Sequence, residues 1–131
     1  MQAQTKRYRT HTQEDITKER QLSSLFYIVS SNLLLATKLL GNDCPVLKTK
    51  ELEFLSREAK ILASELVLEK NIKAREGLLA KTVLLKHRIL KHVTELYDDL
   101  TKMDLRMGKN DLVLARRLLR ESQRGLATVQ E

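Results

Sequence analysis

Residues 49–107 read TKELEFLSREAKILASELVLEKNIKAREGLLAKTVLLKHRILKHVTELYDDLTKMDLRM, and this stretch decides the fold. It holds no proline and one glycine, Gly77. A helix over the whole span would be roughly 85 Å long at 1.5 Å per residue, against about 11 residues for an ordinary globular helix. Leu52, Leu55, Ala59, Leu62 and Leu66 recur at steps of three and four, which places them on one helical face. The same phase continued would carry Glu69, Lys73 and Glu76, so the first stripe ends at Leu66. A second stripe then runs through Leu78, Thr82, Leu85, Ile89, Val93, Leu96, Leu100, Met103 and Met107. On an ideal helix the twelve residues from Leu66 to Leu78 rotate the second stripe about 120° from the first.

Two forms follow. Either one continuous helix presents its halves to different neighbours, or the helix breaks into a hairpin near Asn71–Gly77. Asn71 and Gly77 are poor helix formers, the glycine costing about 1 kcal/mol relative to alanine. Leu68 and Ile72 lie one turn apart and favour continuity, and no cluster of turn residues interrupts them. Phe54, Ile61, Leu68, Ile72, Leu79, Val83, Leu90 and Tyr97 are apolar but lie off both stripes. Such a helix needs cover from more than one side.

Upstream, Thr12 is a good N-cap, with Glu14 and Asp15 in the first turn. A helix follows to about Leu40, with Gly41 as its stop. Leu22, Leu25, Val29, Leu33, Ala36 and Leu40 form its main stripe, widened by Phe26, Ile28, Leu35 and Leu39. The apolar body from Leu25 to Leu40 is interrupted by Ser30, Ser31, Asn32, Thr37 and Lys38. It therefore reads as a core helix rather than a membrane span, which needs about 20 predominantly apolar residues. Residues 42–47, with Asp43-Cys44-Pro45, form a short turn, which makes the first two helices antiparallel neighbours. Gly108 marks another stop. A last helix capped by Asn110 or Asp111 reaches about Arg124, where Gly125 ends it.

The expected architecture is all-α: an antiparallel helical hairpin or bundle built on a long central helix, with coiled-coil-like packing. It has three helices (14–40, 49–107 and 111–124), or four in an up-and-down bundle if the long one breaks. Residues 1–13 form a basic arm and 128–131 a tail around a single helical domain. The 4% aromatic content and single proline fit this class better than a sheet protein.

The net charge is +7, from 24 Lys and Arg against 17 Asp and Glu, and it is spread along the chain. A diffuse positive charge favours acidic surfaces or nucleic acid without choosing between them. One cysteine excludes an internal disulfide and argues for a reducing compartment, cytoplasmic or nuclear. The basic, hydroxyl-bearing start is also compatible with a mitochondrial presequence, although no apolar face accompanies its arginines.

Catalysis is not expected. The chain has no phosphate loop, no His-Glu-x-x-His, no Cys-x-x-Cys and no Glu-x-x-His. His87 and His92 are five apart, so they point about 140° away from each other on a helix and cannot share a metal. Glu95 and Asp99 share a helical face, which a solvated surface explains. No cofactor is expected. Two basic runs stand out: Lys81, Lys86, Arg88 and Lys91, then Arg116, Arg120 and Arg124 stepping by four. Solvated faces account for such runs, as does a rim for an acidic partner or for phosphates. No aromatic residues interleave with the arginines, so base stacking is unsupported.

The leading expectation is a helical interaction subunit of a larger assembly, with Leu78, Leu85, Ile89, Val93 and Leu96 as a partner seam beside those basic residues. Its partners would be helical proteins, acidic ones fitting the charge. A basic nucleic-acid-binding protein and a self-associating coiled-coil spacer are the alternatives.

Overall fold

A computed structural model describes residues 13–41, 49–69, 71–102 and 109–129. These form four helices: α1 (Gln13–Gly41), α2 (Thr49–Leu68), α3 (Ile72–Lys102) and α4 (Lys109–Ala127). The Thr12 cap, the arm before it, the turn with Cys44 and Pro45, and Met103, Met107 and Gly108 lie outside the described residues.

The long stretch is not one helix. It breaks between Leu68 and Ile72, ahead of Gly77, and Asn71 is the reason. Its Oδ1 accepts the backbone N–H of Lys73 at 3.0 Å and of Ala74 at 3.3 Å, so Asn71 caps the N-terminus of α3. Its own N–H donates to Glu69 Oε1 at 2.8 Å, and the Arg75 guanidinium donates to the Glu69 carbonyl. Some of the orphan backbone groups at the break, the N–H groups of Lys73 and Ala74 and the carbonyl of Glu69, are thus satisfied locally. Glu69, the first of the charges that end the stripe, helps build the turn.

Each helix packs on two neighbours, in the ring α1–α2–α3–α4–α1, with α1 on α2 the most extensive contact. Every contact across the ring is antiparallel. Ser23 and Ser30 of α1 meet Ala63 and Ser56 of α2, and Arg88 of α3 reaches Glu51 of α2. Gln123 of α4 donates to Thr94 of α3. The described residues form an all-α, up-and-down four-helix bundle. Gly77, exposed and inside α3, breaks nothing.

Both stripes face the interior. Leu52, Leu55, Ala59, Leu62 and Leu66 join Leu78, Leu85, Ile89, Val93, Leu96 and Leu100 in one core with Phe26, Val29, Leu33, Ala36 and Leu40. α4 adds Ala115, Leu118, Leu119 and Leu126. The α1–α2 contact is close because small side chains line it. Ser23 Oγ donates to the Ala63 carbonyl at 2.6 Å and Ser30 Oγ to the Ser56 carbonyl at 2.7 Å. Ser56 Oγ returns a bond to the Ser30 carbonyl at 2.8 Å, so these buried hydroxyls are paired.

Gly125 does not end α4, which continues to Ala127. It lies close to α1 instead: a Cβ there would sit 2.7 Å from Cδ1 at the end of the Leu25 side chain. No described glycine has a positive φ.

Candidate functional site

The expected partner seam is inside the molecule. Leu78, Leu85, Ile89, Val93 and Leu96 are buried, none more than 8% exposed. The periodicity is that of a packed face, and the cover comes from the chain itself. Because the break returns α2 onto α3, residues that a continuous helix would leave for another molecule are covered by α2 and α4.

The basic rim divides as well. Lys86 is buried and its Nζ donates to the Val129 carbonyl at 2.8 Å, just beyond the end of α4. Arg116 Nη2 donates to the Leu100 carbonyl at 3.2 Å, in the last turn of α3. Both cations serve helix C-termini, where the dipole is negative. Arg120 stacks over Tyr97 at 5.8 Å, and Arg88 lies over Phe54 at 5.6 Å while pairing with Glu51 at 3.6 Å. Lys81, Lys91, Arg117 and Arg124 are exposed. The row of arginines stepping by four is thus partly fold machinery.

His87 is exposed and His92 is buried. Among the described residues, no group of three or more His, Cys, Asp and Glu is placed to hold a metal ion.

What remains outside is a surplus of apolar side chains. On α1, Tyr27 is 52% exposed, Ile28 57%, Leu34 39% and Leu35 42%. Ile28 and Leu35 fit the sequence pattern as extensions of the buried stripe; they face outward instead, because α2 and α4 cover only the other side of α1. At about 100° per residue these four positions span an arc of about 120°. They form two ridges, Tyr27–Leu34 and Ile28–Leu35, with the exposed serines Ser24 and Ser31 between them. Arg20 and Lys38 are exposed on the same central line, one toward each end. The one described acid of α1 whose side chain is placed, Glu19, points inward and pairs with Arg75 of α3 at 3.8 Å. A shallow hollow opens at the Arg20 end, lined by Thr17, Arg20, Gln21, Ser24, Leu25 and Ile28.

Thr17–Leu40 is also long and apolar enough, by length and composition, to cross a membrane. Here its buried side packs on α2 and α4.

A second apolar surface lies along α2 and α3. Phe54, Ile61 and Leu68 repeat every seven residues on α2 and are 39%, 53% and 73% exposed, and Leu84 of α3 is 66% exposed. Phe54, Ile61 and Leu68 were visible in the pattern as off-stripe positions needing further cover; Leu84 was not among them.

Comparison with known protein families, curated proteins and solved structures finds no match to this chain. The function is therefore argued from the geometry of these faces.

Proposed function

We propose that this protein is a non-enzymatic interaction subunit, a small helical adaptor that docks a helix of another protein on the outer face of α1. The observation that carries the reading is the uncovered arc of Tyr27, Ile28, Leu34 and Leu35. Single exposed apolar residues are ordinary, but a contiguous group on one helix marks a contact surface. Its two ridges enclose a channel floored by Ser24 and Ser31, and small floors let a helix approach closely. Ser23 and Ser30, one position earlier in the chain, already make such an approach to α2.

Charge decides the kind of occupant. Arg20 and Lys38 stand 18 residues apart on the channel line, about 27 Å along the helix. Two α1 faces laid together would bring these cations against each other in either direction, so a second copy is disfavoured here. An amphipathic helix with acidic residues near both ends of its apolar face matches the surface.

The test uses synthetic amphipathic helical peptides with the same leucine face and either Glu or Lys at the two ends, measured by fluorescence polarisation. The Glu-ended peptide is expected to bind at least tenfold tighter, and Ile28→Asp/Leu35→Asp in the folded protein should abolish the binding. Equal binding of both peptides, or binding indifferent to the double substitution, overturns the reading. A parallel titration with labelled RNA and DNA across a salt series tests the nucleic-acid alternative; salt-sensitive binding that survives the double substitution would favour it.

A further inference from the structure

We infer that the α2–α3 face is a homodimer interface, joining two copies about a twofold axis that runs along the groove between these helices. It is a different surface from α1, and it stands or falls independently of the reading above.

The register across the groove is set by two contacts. Glu51 pairs with Arg88, and one hollow is lined by Glu58 and Glu65 of α2 and by Lys81, Leu84 and Arg88 of α3. The flank of α2 that borders the groove is acidic at Glu51, Glu58 and Glu65. The facing flank of α3 is basic at Lys81 and Arg88. Glu95, two turns beyond Arg88, lies past the start of α2 by the same register. Outside the acidic line of α2 comes an apolar one, Phe54, Ile61 and Leu68, and α3 carries the exposed Leu84 beside its basic residues.

This surface is complementary to itself in one orientation. A twofold axis parallel to the helices lays α2 of one copy on α3 of the other, so Glu58 meets the second copy's Lys81 and the reverse. Four charges of alternating sign then surround the axis. A twofold axis across the helices would instead lay α2 on α2, and glutamate on glutamate.

Gly77 supplies the second observation. A glycine inside a helix is unfavourable relative to alanine, and among the described residues nothing requires one: an added Cβ would meet no atom within 4 Å. By the groove register, Gly77 lies level with Ile61. In the parallel-axis dimer the bare backbone at Gly77 is the seat for Ile61 of the second copy. Leu84, seven residues further along the same side of α3, meets the level of Phe54.

Sedimentation equilibrium of the full chain is expected to give twice the 15.1 kDa chain mass at tens of micromolar. Gly77→Leu, which fills the seat without touching the chain's own core, should raise the dimer dissociation constant at least tenfold while the helical circular dichroism is unchanged. Gly77→Ala should raise the Tm of the dilute, monomeric chain while weakening the dimer, opposite signs from one methyl group. Orientation is read by disulfide trapping in a Cys44→Ser background. Ile61→Cys chains mixed with Gly77→Cys chains should crosslink, whereas Ile61→Cys chains alone should not. A monomer at all concentrations up to about 100 µM, a dimer unaffected by Gly77→Leu, or efficient 61–61 crosslinking would each overturn the inference.

Discussion

Asn71→Ala is the most informative single change, because it acts on the break that decides which apolar residues are core. Asn71 is exposed, so the substitution removes almost no packing. It removes the acceptor for two backbone N–H groups, those of Lys73 and Ala74. Loss of an N-cap costs between about 0.5 and 2 kcal/mol, typically about 1. Alanine is also the best helix former, so it favours running α2 into α3, where asparagine opposed it. The expected loss is therefore about 1 kcal/mol, or a fall of about 4 °C in Tm for a chain this size. Asn71→Asp keeps the acceptor and should match the wild type, and Asn71→Gly should lose only a few tenths of a kcal/mol. Urea denaturation followed by circular dichroism gives the three values. Stability unchanged or raised in Asn71→Ala, with Asn71→Asp and Asn71→Gly indistinguishable from it, would refute the cap argument. The turn would then be held by core packing alone.

Three further predictions concern the helix contacts. Ser30→Ala and Ser56→Ala should each cost about 1 kcal/mol by removing one of the reciprocal α1–α2 bonds. Each hydroxyl donates to a backbone carbonyl that the other substitution leaves in place, so the double variant should cost about their sum; a strongly non-additive cycle by chemical denaturation would contradict this. Gly125→Val should destabilise by about 2 kcal/mol, since its side chain enters the space of Leu25 Cδ1. Adding Leu25→Ala should recover part of that loss, and thermal melts showing no recovery would mean the glycine serves something else. Lys86→Met keeps the aliphatic stem but loses the charged bond to the Val129 carbonyl, so it should cost between about 1 and 2 kcal/mol and speed amide exchange over 126–129.

The helical class, the antiparallel order and both core stripes were legible because a period of three and four survives in a single sequence. Leu52 to Leu66 and Leu78 to Leu100 are core as spaced. What periodicity cannot reveal is who supplies the cover. Leu78 to Leu96 would read the same whether they face another protein or α2 and α4, and the difference rests on the break between Leu68 and Ile72. Asn71 was suspected there as a weak helix former, but its side-chain oxygen acts as a cap, and that depends on where the chain turns. The basic residues show the same limit. Lys86 and Arg116 look like members of surface runs until the ends of α4 and α3 are brought beside them.

The position of the break also explains why so much apolar surface is left over. A break at Gly77 would have spent the glycine in a turn and shortened α3 by about a turn and a half. A break at Asn71 keeps Gly77 inside the helix, on the outside of the bundle, where the fold has no use for its missing side chain. It likewise ends α2 at Leu68, which stays 73% exposed, and leaves Phe54 and Ile61 on the same outward line. Folding back covers the two stripes and strands the residues between them. The four-residue surplus on α1 has the same origin, since a ring of four helices covers each member from two sides only. Tyr27, Ile28, Leu34 and Leu35 occupy the third. A chain that needed only to fold would gain by polar residues at these positions and alanine at 77. The two contacts proposed above, a helix along α1 and a second copy along α2 and α3, would each give these apolar side chains and this glycine a use that folding does not.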